Sequence, residues 1–323
     1  MSYHQLTQEE RYLISSALTL KISLRQIAEQ LGRAASTVSR EVRRNATTRD
    51  GAYRAQKAQS YAVARLKRSR RGPQFSEEIL RVVDEAIRML WSPEQIVGAF
   101  RGEGWIVPSH ETIYRRLRRD KRAGGTLCRF TRIMSKVGRK RYRSRPTRGV
   151  LLGKRHISER AKVVERRERV GDWEFDTVIG KGSSHCILTL VERKSGFTLI
   201  RKLKARTMAE ATAGALAVIA RMQHRFKTIT LDNGSEFHDY EQWERRFPVK
   251  CYFATPYHSW ERGSNENANG LIRQYLPKGT NLRRLTQDDC DQIADALNTR
   301  PRKRHGFRTP AEIFRGPNRV LHL

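Results

Sequence analysis

The sequence has few cysteines, no long apolar run and a shortage of acidic residues. Its cysteines are far apart and form no CxxC pair, so neither a zinc site nor a disulfide framework is indicated. No run of 18 apolar residues is present, which argues against a transmembrane helix, and the opening MSYHQLTQEERY lacks the apolar segment of a signal peptide. These absences predict a protein of the reducing cytoplasm with no membrane partner. The four cysteines are Cys128, Cys186, Cys251 and Cys290.

The shortage of acids leaves a large positive charge. Lys and Arg number 65 against 33 Asp and Glu, a formal net charge of +32 over 323 residues. Such a chain repels itself unless a polyanion neutralises it, and nucleic acid is the partner that we expect. A membrane surface is the weaker alternative, because no basic amphipathic helix with a lipidation signal is present. With 38% hydrophobic residues, the chain can form two or three folded domains.

The first 50 residues have the pattern of a helix-turn-helix domain. Thr7 with Glu10, and Ser23 with Gln26, have the spacing of capping boxes and predict two helix starts. Gly32 predicts a turn before a third helix, ASTVSREVRRN, whose valines face inward. The alternative is a small helical bundle with a solvated basic face. We expect the outward side chains of the third helix to contact DNA, namely Ser36, Thr37, Arg40, Arg43 and Arg44.

A second unit of the same kind is predicted over residues 76–120. Ser92 is placed to cap a helix with Pro93 at its first position and Gln95 at the box position, and Ser109 begins the next helix. That helix is expected to present His110, Glu111, Thr112, Arg115 and Arg116 to DNA. Basic linkers are predicted over 51–75 and 121–165; eleven Lys and Arg lie between 121 and 148. The second linker has too few apolar residues for a core and could be a tether or an arm along phosphates.

Residues 166–323 change to a mixed pattern. WEFDTVIG, HCILTLVERKSGF and TLIRKLK predict three antiparallel strands, followed by helix, strand, helix and strand. A helical tail follows, with TQDDCDQIADALNTR as its first helix and PRKRHGFRTP as a basic loop. The predicted fold class is therefore multidomain, with an all-α helix-turn-helix N-terminal part and an α/β ribonuclease H-like catalytic domain.

Three acids in this domain predict a metal site. In the expected topology the first strand is central and the fourth lies beside it, so Asp176 and Asp232 come close, and the helix of Glu266 packs across them. Gathered carboxylates repel unless cations neutralise them. Oxygen ligands favour Mg²⁺ or Mn²⁺, and two ions about 4 Å apart support phosphodiester cleavage or transfer.

Spacing alone leaves alternatives open for each acid. Asp172 and Glu174 alternate onto the same strand face as Asp176. DNG at 232–234 is typical of a hairpin turn, although the residues after it are helical in pattern. We interpret the histidine at 258 as a loop residue and not as a catalytic base, since a metal-bound water needs little help from a base. The competitors for the helix position are Glu236 and Glu261.

The segments GDWEFDTVIGKG, TLDNGSEF and PYHSWERGSNENANGLIRQYLPKGT resemble the catalytic core of the DDE transposases of the insertion-sequence family IS-thirty (IS30). As in that family, 33 residues separate Asp232 from Glu266. The resemblance extends to LTQEER and SLRQIAEQLGRAASTVSREVRRN and so covers most of the chain. One departure is Phe175, where a glycine is expected before the first acid.

The resemblance implies a catalytic and metal-binding triad of Asp176, Asp232 and Glu266 with two Mg²⁺ or Mn²⁺ ions. It implies a transposase that binds the element's terminal inverted repeats, cuts strands and joins the freed 3′-hydroxyl to target DNA. Pairing two ends requires a homodimer or larger oligomer, associated with the bacterial nucleoid. The rival hypotheses are a repressor whose catalytic domain is only scaffold, and a ribonuclease H-type nuclease without strand transfer.

Overall fold

The computed structural model describes residues 5–70, 75–132, 134, 153–256 and 258–316. They divide into two separately packed units, Met1–Ser76 and Glu77–Leu323. Residues 135–152 of the predicted second linker lie outside the described residues.

The first unit contains four helices. They are α1 (Gln8–Thr19), α2 (Leu24–Gln30), α3 (Ala35–Asn45) and α4 (Ala55–Arg70). Both predicted capping boxes are present, at Thr7 for α1 and at Ser23 for α2. The bounds of α3 match the predicted third helix. Ile14, Ile27 and Val38 are fully buried where the helices meet.

The basic linker predicted over 51–75 is instead largely helical, because it contains α4. Ala55 and Ala58 are buried, and Ala58 joins the core of the first unit. Alanine favours helix, and its small side chain lets α4 lie close to α1. The many basic residues of this segment led to the linker prediction, although its alanines form a face that packs in the core.

The second unit begins with another group of helices. They are α5 (Glu77–Arg88), α6 (Pro93–Gly102) and α7 (His110–Arg122). The predicted box at Ser92 and Gln95 caps α6, and the Ser109 side chain accepts from the Thr112 amide to cap α7. A one-turn 3₁₀ helix, Leu127–Phe130, adds Leu127 to the core of this group, so the predicted second linker begins as packed structure.

A five-stranded mixed sheet follows, with the order β3-β2-β1-β4-β5. Its strands are β1 (Asp172–Ile179), β2 (Cys186–Glu192), β3 (Thr198–Leu203), β4 (Thr228–Leu231) and β5 (Lys250–Phe253). The first three are antiparallel, and β4 pairs with β1 in parallel. The predicted succession of strands, with β1 central and β4 beside it, is confirmed.

Helices cover both faces of the sheet. They are α8 (Lys162–Glu165), α9 (Met208–Arg221), α10 (Glu241–Arg246), α11 (Gly263–Tyr275), α12 (Gln287–Asn298) and α13 (Pro310–Arg315). Trp173 and Phe175 of β1 pack into one core with side chains of α9, α10 and α13. Val178 of β1 packs into the other core with α11 and α12. Phe175, the departure from the family pattern, therefore fills the first core, and Asp176 lies on the α11 side.

The end of the predicted second linker belongs to the sheet domain. His156 forms a parallel bridge with Phe253, and the Arg160 guanidinium donates to the Thr230 hydroxyl at 2.9 Å. Val164 is fully buried. This segment is ordered by its contacts with the sheet, which no local pattern reveals. Within the described ranges, no helix is long and apolar enough to cross a membrane.

Candidate active site and nucleic-acid interface

Strand register brings Asp176 and Asp232 side by side. The parallel pairing of β1 with β4 joins Asp172 to Thr228 and Glu174 to Thr230. Asp176 lies two residues after Glu174 on β1. Asp232 lies two residues after Thr230, directly after the carboxyl end of β4. The predicted proximity of these two acids follows directly from the sheet order.

A guanidinium lies between the two carboxylates. Arg262 is 3.5 Å from Oδ1 of Asp176 and 3.6 Å from Oδ2 of Asp232, and it donates to the Phe175 carbonyl at 3.3 Å. The Nδ2 of Asn269 donates to the other oxygen of Asp176 at 2.7 Å. Arg262 directly precedes α11, and Asn269 lies in the middle of that helix. The arrangement places one guanidinium between the two acids.

The environment of Asp176 acts on its ionisation in opposite directions. Burial raises the pKa of Asp176 above its ordinary value, and the charge of Asp232 raises it as well, whereas Arg262 opposes both. A cation beside these acids therefore stabilises the ionised carboxylate. The pair is suited chemically to binding a positive ion through oxygen atoms.

The three acids of β1 differ in burial and in partners. Asp172 is buried, accepts from Arg169 at 3.0 Å and from the Thr228 hydroxyl at 2.8 Å. Glu174 is fully buried in an ion pair with Arg193. Both are neutralised inside the fold. Asp176, half-buried at the sheet end, is the β1 acid that can reach a ligand.

The competing glutamates also have structural partners. Glu236 is buried and lies 2.6 Å from the Arg206 guanidinium. Glu261 accepts from the amide and the hydroxyl of Thr255, at 2.7 and 2.9 Å, and its Oε1 is 3.4 Å from Nδ1 of His258. The DNG segment is followed by a 3₁₀ turn and not by a returning strand, so the hairpin alternative is wrong.

Glu266 does not join the other two acids in this structure. It is exposed in the first turn of α11, three residues before Asn269. Arg273, further along this polar side, donates to the Ile179 carbonyl at 3.2 Å, so the polar side runs beside β1. Among the described residues, no three His, Cys, Asp or Glu side chains are grouped closely enough to hold a metal ion.

The sequence analysis did not identify Arg262 or Asn269 as partners of the two acids. Both lie in the ERGSNENANG run that carries the family resemblance, which was the available signal. Their pairing with the acids depends on how α11 meets β1 across more than 80 residues of sequence. Only the tertiary structure shows it.

The predicted DNA-contacting residues of α3 lie mainly at its surface. Ser36, Arg40, Arg43 and Arg44 are exposed, whereas Thr37 is half-buried. The Arg40 side chain bends back and donates to the Ser36 carbonyl at 3.0 Å. Val38 anchors the opposite side of α3 in the core. The helix therefore presents hydroxyls and arginines away from the core, as expected.

On α7 one predicted residue is engaged elsewhere. His110 and Arg115 are exposed, and the Thr112 hydroxyl lies 3.0 Å from that of Ser109. Arg116 instead makes two hydrogen bonds to Asp84 of α5, at 3.0 and 2.7 Å. The expectation that Arg116 is available to DNA is corrected, because α5 packs on that side of α7. Glu111 forms a 3.1 Å ion pair with Arg118.

Comparison with known proteins agrees with both regions. A family model described as a helix-turn-helix domain matches residues 2–45, and one described as an integrase core domain matches residues 167–259. The transposase of insertion sequence element IS4351 from Bacteroides fragilis is 41% identical, over 98% of this chain and 96% of that protein. Transposase InsI of element IS30C from Escherichia coli K12 is 36% identical, over 96% and 83%. The chain belongs to the IS30 family of transposases.

The IS30 assignment confirms the resemblance and the fold class. This is an insertion-sequence transposase with a helix-turn-helix domain and an integrase core of the ribonuclease H-like kind, a combination that implies DNA binding. Among solved structures, the catalytic core domain of BIV integrase is 21% identical, covering 45% of this chain and 94% of that one, with a TM-score of 0.36.

Proposed function

We propose that this transposase binds the terminal inverted repeats of its own insertion sequence, hydrolyses DNA strands there, and joins the freed 3′-hydroxyl to target DNA. The observation that carries the proposal is the pair Asp176 and Asp232, aligned on adjacent strands with the Arg262 guanidinium between them. Glu266 is proposed as the third catalytic acid.

The donor set fits divalent metal ions. The candidate ligands are carboxylate oxygens, which Mg²⁺ and Mn²⁺ prefer. Arg262 shows that the pair accepts a cation at 3.5 and 3.6 Å. Glu266 lies one turn from Asn269, which contacts Asp176, and would supply the third carboxylate from the polar side of α11. We therefore propose these three acids as the ligands of two ions.

The protein's own groups orient this site. When bound, the ions activate the attacking oxygen and stabilise the leaving oxygen at the phosphate. Asn269 holds one oxygen of Asp176, and the other lies 3.5 Å from Arg262. Oδ1 of Asp232 accepts from the Gly234 amide at 2.9 Å, which restrains that side chain. Both acids are thus positioned before DNA arrives.

Recognition of the element ends is proposed for the two helical groups. In the first unit, Ser36, Thr37, Arg40, Arg43 and Arg44 of α3 would contact base edges and phosphates. In the second unit, His110, Thr112 and Arg115 of α7 would extend the contacts. Two reading units suit a longer, more specific site. Bringing two ends and a target together requires at least two protomers, acting at the nucleoid.

The proposal is tested with purified protein, labelled double-stranded element ends, and Mg²⁺ or Mn²⁺. Wild type is compared with Asp176→Asn, Asp232→Asn and Glu266→Gln, with Asp288→Asn as the control because Asp288 is an exposed acid on α12. Wild type and control should cut and join. The three site variants should bind DNA but lose more than about 100-fold in rate, since even outer-shell partners of a metal are worth roughly 10–100-fold.

The same assay separates the rival functions. A repressor would bind the ends and never cut them with either metal. A nuclease without strand transfer would give cut DNA and no joined product. Either result, obtained with wild-type protein that binds the element ends, overturns the proposed function.

A further inference from the structure

A cleft separates the α5–α7 helices from the sheet domain within the second unit. It consists of two adjoining cavities of about 230 and 220 Å³, which share Asn267 and Arg302 in their walls. Gln95 of α6 donates to the Pro301 carbonyl at 2.7 Å and holds the walls together. Asn267 directly follows Glu266 on α11. The α6–α11 cleft therefore lies along one side of α11, the helix that carries Glu266 on another side.

The walls of the α6–α11 cleft are strongly basic. Of the described residues that line it, Glu94 is the single carboxylate, and its Oε2 lies 3.5 Å from Lys303 Nζ. The basic lining residues are Arg132, Arg300, Arg302, Lys303 and Arg304. Four of these come from the segment between α12 and α13, the basic loop whose role the sequence left open.

The three arginines of that segment have neutral partners. Arg300 donates to Gln274 at 2.9 Å and to the Tyr275 hydroxyl at 3.1 Å, and Arg302 donates to the Leu297 carbonyl at 3.0 Å. Arg304 donates to the Lys194 carbonyl at 3.3 Å. Within the described part of the chain, no carboxylate forms an ion pair with any of the three. The three neighbouring arginines thus share one cleft in which the single lining carboxylate among the described residues, Glu94, pairs with Lys303 and not with them.

Burial makes this arrangement costly. Arg300 is only 1% exposed, and its Nε has no hydrogen-bond partner among the described residues. Burial, together with the charges of Arg300 and Arg304, lowers the pKa of Arg302 to about 10. Clustered, partly desolvated cations are unfavourable unless an anion compensates them. The cleft has the electrostatics of an anion-binding site.

We propose that the α6–α11 cleft binds a backbone phosphate of the element-end DNA. Guanidinium groups match phosphate oxygens with two parallel hydrogen bonds. Ser264 and Asn267 of α11 line the same cavity and offer neutral donors. That the phosphate belongs to an element end rests on the proposed function.

The test uses the exposed members of the cluster, whose replacement leaves the fold intact. Lys303→Gln and Arg304→Gln each remove one positive charge from the cleft, and Arg304→Lys keeps it. Arg246→Gln is the matched control, because Arg246 is exposed on α10, which packs in the core on the other face of the sheet. The full-length chain is titrated without metal against an element-end duplex over a range of KCl concentrations.

The salt slope of log Kobs should fall by about 0.9 for each lost phosphate contact. We expect that fall for Arg304→Gln and for Lys303→Gln, with the wild-type slope for Arg304→Lys and Arg246→Gln. Unchanged slopes in both cleft variants overturn the proposal.

A second measurement locates the phosphate. Single phosphates of the duplex are replaced by neutral methylphosphonates, and the affinity of each protein is measured. Replacing one particular phosphate should lower the affinity of wild type and of Arg246→Gln several-fold. The same replacement should not lower the affinity of Arg304→Gln further, since that variant has already lost its contact with the phosphate. If the effects of Arg304→Gln and of every neutral phosphate simply add, the cleft does not bind DNA. That outcome is distinct from failure of the proposed function, in which wild type does not cut and join the ends.

Discussion

At the scale of single residues, the site depends on how charge is balanced around Asp176 and Asp232. Two carboxylates placed together on adjacent strands need a cation, and Arg262 supplies it here. The guanidinium lies where a divalent ion would compete for the same oxygen atoms. Removing it should therefore have different consequences in the absence and in the presence of metal.

We predict that Arg262→Gln lowers the unfolding free energy of the metal-free protein by about 1–3 kcal/mol, the cost of leaving a charged partner unsatisfied. Added Mn²⁺ should raise the melting temperature of this variant by more than that of wild type. Thermal unfolding with and without metal measures both effects. The control is Arg206→Gln, which breaks the ion pair with buried Glu236 and should lose stability that metal does not restore.

The candidate acids could be singled out from sequence, but their environment could not. The D and E spacing selects Asp232 and Glu266, whereas alternation along β1 leaves Asp172, Glu174 and Asp176 equivalent. What separates those three is the burial of their own side chains, which are 1%, 0% and 22% exposed for Asp172, Glu174 and Asp176. That burial depends on packing across the whole domain, so no local pattern contains it.

At the scale of elements, α7 carries two neighbouring arginines with different surroundings. Arg115 is exposed, and Arg116 is bonded twice to Asp84 of α5. We predict that Arg115→Gln weakens DNA binding and leaves the melting temperature unchanged. Arg116→Gln should instead lower stability by about 1 kcal/mol, since the pair is partly exposed. Melting curves and DNA titrations of both variants test this; a reversed pattern would refute the assignment.

Sequence patterns were reliable for elements with strong local signals. The capping boxes at Thr7, Ser23 and Ser92 marked true helix starts, and the run of strands gave the correct sheet order. The helix α4 and the segment around Arg160 were taken for linker instead. Both are rich in basic residues and are ordered by packing against elements elsewhere in the chain.

At the scale of the whole molecule, the chain combines two units with an excess of positive charge. The first unit ends at Ser76, and the second joins the α5–α7 helices to the sheet domain through contacts such as Gln95 with Pro301. We predict two transitions in calorimetric unfolding, one for each unit. A fragment of residues 1–76 should reproduce one of them, and a third transition would show that α5–α7 fold independently.

The most direct test of the central claim is the rate of joined-product formation from element ends in Mn²⁺. Glu266 is the decisive residue, because it is exposed and separate from the other two acids in the structure. We predict that Glu266→Gln binds the ends as wild type does and forms no joined DNA, while Asp288→Asn joins them at the wild-type rate. Joined product from Glu266→Gln at a rate near that of wild type would contradict the three-acid site.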